Sequence, residues 1–280
     1  MAYSQIVVVN KNAGNSSKII SQLKARGADY RVSITKEDSE RIISSLPKKL
    51  EIDLIVSGGD GTVNSFVNLI MRHELFPHIR LGIIPSGSAN DFVRYMEKDA
   101  NIERKIKMLE TGFTRERFVD LIRVNSSYFV TGGGFGLPVD VVHDAECLKR
   151  KALGKTLGGE IYSYIAARRV LFGYRGFDQD TMALCIMNQP FIGRKFNLSK
   201  YSVNNDGLFE MCKIPRSSRL QDLKTLYHLS KGKEIGVSES LEEITIHCDK
   251  NVEFMADGEI LDRANTFYFR STPQAIKIIY

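Results

Sequence analysis

Apolar residues recur along the chain in two different rhythms. In the first third, unbroken apolar runs at residues 6–9, 54–56 and 81–84 each end in a turn of small or polar residues and lead into a segment with helical spacing. Short continuous runs of this kind predict strands buried on both faces. Ile19, Ile20 and Leu23 fall on one face of a helix that starts at Ser16 or Ser17 and reaches about Arg26. Ile42, Ile43 and Leu46 do the same over residues 37–46, and Val63, Phe66, Val67 and Ile70 over residues 63–72. Residues 30–35 supply one more strand, and a short helix follows Asp91. Strands and helices in strict alternation predict a parallel sheet covered by helices on both faces.

After about Arg115 the rhythm changes. Residues 118–124, 128–132, 181–188, 208–213, 243–247, 252–255 and 266–270 read as strands, several joined by short turns such as Asn125-Ser126 and Asp249-Lys250. That is the grammar of an antiparallel sheet. Helices over residues 137–148 and 159–172 interrupt it. The expected organisation is a parallel-sheet α/β domain over residues 1–115 and a β-rich, antiparallel domain over residues 116–270. The Ile-Lys-Ile-Ile pattern at residues 276–279 reads as a last strand, so that about 271–280 return to the first domain.

Composition narrows this picture. A chain of 280 residues with 43% hydrophobic and 26% charged residues is no disordered or fibrous protein. The four cysteines are far apart with no C-x-x-C, which reads as reduced thiols in a cytoplasmic protein. No apolar run approaches the roughly 18 residues of a membrane span; even residues 161–172 are interrupted by Arg168 and Arg169. A net charge of +6 suits a phosphate-bearing ligand or an anionic membrane surface, and is too weak to argue for nucleic acid. Any work on lipid would be done peripherally, from the cytoplasm.

The sharpest motif is Gly58-Gly59-Asp60-Gly61-Thr62, placed between a buried strand and a helix. Glycines let backbone N–H groups approach an anion closely, and the helix directs its positive end to the same place. Asp60 would repel a bare phosphate, but it makes sense with Mg²⁺ between carboxylate and phosphates. A second turn, with Ser86, Gly87, Ser88 and Asn90, follows the next buried strand. Asn10, Lys11, Asn12 and Gly14 follow the first strand, and Thr35 the second. Ligands of open α/β sheets bind outside the carboxyl ends of the strands, so these turns would line one crevice. Taken singly, each is also an ordinary loop with a helix-capping residue. No G-x-x-x-x-G-K-[ST] occurs. Asp120 stands in an apolar strand, where it is either buried with a partner or on a solvent face. Lys149, Arg150, Lys151 and Lys155, followed by Arg168, Arg169 and Arg175, form a basic stretch that suits anionic lipid or simply solvent.

The segments Gly-Gly-Asp-Gly-Thr-Val-Asn at 58–64 and Pro-Ser-Gly-Ser-Ala-Asn-Asp at 85–91 resemble the catalytic domain of the diacylglycerol kinase superfamily. With Val119-Asp120-Leu121, Gly133-Gly134-Phe135-Gly136, Asn205-Asp206-Gly207-Leu208 and Asp257-Gly258-Glu259, the resemblance extends over nearly the whole chain and narrows to the bacterial lipid kinases. Departures are Lys11 where the family has proline, Ser88 where it has threonine, and Ser65 where it has glutamate after Asn64.

The resemblance implies a kinase that uses ATP and Mg²⁺ to phosphorylate the hydroxyl of a lipid such as diacylglycerol. Its ATP would be held by Asn10, Lys11, Asn12, Gly14, Thr35, Gly58, Gly59, Asp60, Gly61, Thr62, Asn64, Ser86, Gly87, Ser88 and Asn90. Glu259 would be the general base, and Asp60 and Asp120 would belong to the metal–phosphate network. Asp206, with the carbonyls of Val203 and Leu208, would hold a second Mg²⁺. An NAD kinase-like enzyme and an inactive nucleotide- or lipid-binding regulator stay open as alternatives, and a homodimer is compatible with all three.

Overall fold

The apolar run at residues 6–9 lies within β1 (Ser4–Asn10), and the runs at 54–56 and 81–84 lie within β3 (Ile52–Gly58) and β4 (Ile79–Pro85). In this computed structural model, which describes residues 4–97, 101–149, 160–233 and 235–280, the chain divides into two units. Unit 1 is Met1–Leu121 with Pro273–Tyr280, and unit 2 is Ile122–Thr272.

Unit 1 is the parallel sheet. β1 lies between β3 and the short edge strand β2 (Arg31–Ser33), and β3 pairs with β4, all in parallel. The end of β14 (Glu259–Ile279) adds a fifth parallel partner, with Lys277, Ile278 and Ile279 opposite Arg80, Leu81 and Gly82 of β4. Every residue of β3 is buried, as expected of a central strand with helices over both faces. The helices are α1 (Ser16–Ala25), α2 (Lys36–Ser44), α3 (Asp60–Arg72), α4 (Asp91–Met96) and α5 (Ile102–Thr111). Val7, Val9, Ile19, Leu23, Ile55, Ile84, Ile106 and Ile279 form one core, so β1, β3, β4, β14, α1 and α5 are pinned together.

Unit 2 is antiparallel. β5 (Glu116–Val124) turns at Asn125 into β6 (Ser127–Phe129). The remaining strands lie in the order β12 (Val237–Leu241), β11 (Phe209–Pro215), β8 (Thr181–Met187), β7 (Gly132–Gly136), β13 (Glu243–Ala256), β14. A separate two-stranded piece pairs β9 (Phe191–Ile192) with β10 (Phe196–Asn197). Along β8, side chains alternate between two cores. Leu184 and Ile186 join Phe129, Phe135, Phe254, Phe267 and Phe269 on one face. Ala183, Cys185 and Met187 meet α6 (Leu137–Lys149), α7 (Ile161–Phe172) and α8 (Arg219–Ser230) on the other. The Phe135 ring sits 4.9 Å from those of both Phe254 and Phe267.

Two details depart from expectation. Asp249-Lys250 is no turn between strands: β13 runs through it, and the pairing with β14 slips between His247 and Val252, leaving residues 248–251 as a bulge. The run at 266–270 and the last strand are one element, β14, which pairs with β13 in unit 2 and with β4 in unit 1.

Candidate active site

The sheet of unit 1 has the order β4-β3-β1-β2, so the chain leaves β1 in one direction to reach β2 and in the other to reach β3. The reversal lies between β1 and β3, and in open parallel sheets that is where a crevice opens outside the carboxyl ends. The loops leaving β1, β3 and β4 are stitched together there. Asn10 Nδ2 donates to Thr62 Oγ1 at 2.8 Å across the reversal point. Ser86 N donates to the Gly58 carbonyl at 3.0 Å, and Ser57 Oγ to Ser86 Oγ at 3.2 Å. The loop after β2 joins through Lys11 N on the Ser33 carbonyl and Asn12 Nδ2 on the Ile34 carbonyl, at 2.9 and 2.8 Å.

Glycine is required at two of these places by the neighbouring loop. Gly59 is the extended residue that opens α3, and a Cβ there would lie 3.0 Å from Gly87 Cα. A Cβ on Gly87 would lie 2.4 Å from Gly59 Cα. The two turns therefore pack backbone to backbone. Asn90 takes a left-handed conformation, φ +53°, and closes the second turn by exchanging hydrogen bonds with Gly87 N and O, both 2.9 Å.

Asp60 lies at the start of α3, where helix geometry leaves the first N–H groups without intrahelical acceptors. Its two oxygens accept from the N–H groups of Asp91 and Phe92, each at 3.0 Å. Asp60 thus caps α4 across the site and ties both glycine turns into one body. Asn64, one turn into α3, is buried and accepts from Asn68 Nδ2. Thr35 caps α2 in a reciprocal box with Asp38, whose carboxyl is held below its usual range by the N–H groups of Ile34 and Thr35. Ser88 and the Lys11 side chain are exposed beside the crevice, and Gly14 approaches the Ser86 carbonyl.

Of the two alternatives for Asp120, the structure selects burial with a partner. Asp120 is wholly buried in β5, and its Oδ1 accepts from Gln274 N at 2.7 Å. In unit 2, Glu259 stands directly opposite Ala256 across the β13–β14 hairpin. The two connecting residues have positive φ, +50° at Asp257 and +82° at Gly258, the signature of a tight type I′ turn.

Asp257 is the member of this group that sequence reasoning passed over. It is buried, and its carboxylate accepts from Val130 N at 2.9 Å, Thr131 N at 2.8 Å and Thr131 Oγ1 at 2.5 Å. An Asp-Gly turn is expected to be solvated, and nothing in the local sequence signals a partner 126 residues away. Asp206 is exposed, with Oδ1 accepting from Leu208 N at 3.0 Å, and Val203 is exposed as well. Arg150, Lys151, Lys155 and the Lys149 side chain lie outside the described residues. Arg168 and Arg169 pair with Asp144, and Arg175 with Asp140. Among the described residues, no cluster of three or more His, Cys, Asp or Glu side chains is formed, and no helix is long and apolar enough to cross a membrane.

Comparison with known proteins agrees with this arrangement. Residues 4–124, which hold all four loops and Asp120, match the model of the diacylglycerol kinase catalytic domain. Over 99% of its length the chain is 26% identical to a Yersinia enterocolitica protein named "Probable lipid kinase YegS-like", covering 96% of that protein. A Pectobacterium atrosepticum protein of the same name is 24% identical, with 97% and 93% of the two chains covered. The crystal structure of a diacylglycerol kinase from Bacillus anthracis has the same fold, with a TM-score of 0.68 at 18% identity over 99% of this chain and 96% of that one. Residues 4–124 thus match a diacylglycerol kinase catalytic domain, and along its whole length the chain is similar to proteins named as lipid kinases.

Proposed function

We propose that the protein transfers the γ-phosphoryl group of ATP to the hydroxyl of a lipid such as diacylglycerol, in the presence of Mg²⁺. The observation that supports this best is the joining of four loops at the β1/β3 reversal point, around the positive end of α3. The residues there suit a triphosphate. Backbone N–H groups of residues 59–62, with Asn10, Asn12, Gly14, Thr35, Asn64, Ser86, Gly87, Ser88 and Asn90 around them, would hold it, and Lys11 brings a cation.

Asp60 fits Mg²⁺ as a single carboxylate set at the positive end of α3, beside both glycine turns. Such an ion would take its other ligands from phosphate and water. When bound, it would neutralise charge on the phosphates. Asp206, with the carbonyls of Val203 and Leu208, offers a second and weaker place of the same kind.

In this proposal Glu259 accepts the proton of the attacking hydroxyl. Asp257 fixes the turn that presents it. Asp120 would belong to the metal–phosphate network, and it anchors the last strand through Gln274. Unit 1 binds nucleotide and unit 2 receives the lipid, so that the protein works from the cytoplasm as a peripheral visitor to an anionic membrane.

The test is transfer of labelled γ-phosphate from ATP to a panel of diacylglycerol, phosphatidylglycerol, a sphingoid base and an isoprenoid alcohol, with Mg²⁺ and with chelator. Product with one lipid, lost on chelation, is the expected result. Phosphorylation of NAD with none of the lipid panel would replace the proposal with a soluble-substrate kinase, and no transfer at all with a binding regulator.

A further inference from the structure

We infer that the outer surface of the helical layer in unit 2 is a docking face for an anionic lipid bilayer. Helix α7 buries Ile161, Ile165, Ala166 and Val170. A surface helix normally turns polar residues outward from such a stripe. Here the outward positions are Tyr164, Leu171 and Phe172, which are 47%, 45% and 82% exposed, with Arg168 among them. Their spacing, 164, 168, 171 and 172, is one helical stripe.

Helix α8 repeats the arrangement. Asp222, Thr225, Leu226 and Leu229 are buried. Leu220 and Tyr227, 74% and 60% exposed, lie on the opposite side, in one stripe with Lys224 and Lys231. Ala166, Val170, Leu226 and Leu229 share one core with β8 and β11, and α7 packs on α8, so both stripes look away from the same sheet face.

The chemistry of these stripes selects the occupant. Over residues 161–172 and 219–231 these stripes carry large apolar side chains and three basic ones, Arg168, Lys224 and Lys231, and no acid of their own; Arg168 reaches Asp144 at 3.4 Å, and the flanking Glu160 is paired with Lys195. The single acid of α8, Asp222, is turned inward, where it accepts from the Tyr174 hydroxyl at 2.7 Å and Ser217 N at 2.8 Å. The Lys231 ammonium stands 5.6 Å from the centre of the Tyr227 ring, its stem beside the apolar surface. Aromatic and aliphatic groups mixed with long-stemmed cations suit the headgroup boundary of a bilayer, where rings enter the interface and cations reach phosphates. A second copy of the chain suits it poorly, because a two-fold contact would set the same cations against each other.

The inference needs neither ATP nor phosphoryl transfer, and its test uses neither. The chain has no tryptophan, so Phe172→Trp and Leu220→Trp each report on one helix without background. Each full-length variant is titrated with phosphatidylglycerol vesicles and with phosphatidylcholine vesicles, in the absence of nucleotide. With phosphatidylglycerol, both emission spectra should shift to the blue and both indoles should become shielded from iodide, with little change for phosphatidylcholine. Adding Lys224→Gln should weaken vesicle binding about fivefold. Vesicle binding with both indoles still open to iodide would place the docking face elsewhere and overturn the inference. So would absence of binding, or shielding that grows with protein concentration when no vesicles are present. Docking retained in a protein that phosphorylates no lipid would leave this inference standing and remove the kinase reading alone.

Discussion

Asp257 has a structural part in the proposed site. Its carboxylate satisfies the N–H groups of Val130 and Thr131, both buried, and so fixes the turn on which Glu259 stands. Asp257→Ala leaves both donors without an acceptor and should lower the free energy of unfolding by about 3 kcal/mol, read by urea titration. Glu259→Gln is the complementary case. It should leave stability and the KM for ATP unchanged while kcat for lipid phosphorylation falls about 10²–10⁴-fold; a loss of ATP binding instead would move Glu259 to the nucleotide site. The glycines were legible as a tight approach, but the thing approached is not ligand alone. Because a Cβ on Gly87 meets Gly59 Cα at 2.4 Å and one on Gly59 meets Gly87 Cα at 3.0 Å, Gly87→Ala should lower the melting temperature more than Gly59→Ala. Equal and unchanged melting temperatures would show that the two turns do not press on each other.

At the scale of elements, Asp60 couples α3 to α4. Asp60→Ala removes a cap from α4 as well as the proposed metal ligand, so it should cost about 0.5–2 kcal/mol of stability in addition to turnover. Loss of turnover at full stability would mean that the cap contributes nothing. In unit 2, burial holds the Glu210 carboxyl above its usual range. The folded protein then binds that proton more readily than the unfolded chain. The stability this adds is present in full below the ordinary carboxylate pKa and is lost as pH rises through the raised value. Glu210→Gln should therefore be more stable than wild type at pH 7, with the gap closing toward about pH 4.5, where the ordinary glutamate carboxyl titrates; a gap that widens on acidification would contradict this. The elements that the sequence made plain are those with one clean period. The buried parallel strands read as unbroken apolar runs, whereas β12 has exposed residues at four of its five positions and gives no alternation to find. Helix α8 was illegible because Leu220 and Tyr227 place apolar groups opposite its buried stripe and blur the helical period. The bulge at residues 248–251 carries the polar pair Asp249-Lys250, which imitates a turn.

For the whole molecule, the change from parallel to antiparallel grammar was readable, but the division itself is not marked by any linker. It falls inside two strands, at Leu121/Ile122 in β5 and Thr272/Pro273 in β14. A strand shared by two units has the composition of a strand, so no Pro-, Gly- or Ser-rich stretch announces the crossing. The last eight residues nevertheless complete unit 1. Ile276, Ile278 and Ile279 are almost wholly buried, and among the described residues β14 is the partner of β4 on that side. A chain ending at Thr272 should lose cooperative thermal unfolding of unit 1 by circular dichroism, and a sharp transition in that truncated chain would show the last strand to be dispensable. This arrangement also sets an order of events on the ribosome. Domains ordinarily fold as they emerge, the amino-terminal one first. Here the amino-terminal sheet waits for residues 273–280: until they leave the exit tunnel, β4 presents an open edge of the kind that invites mispairing. The nascent chain would then depend on a holding chaperone, or on rapid completion, during the whole synthesis of unit 2.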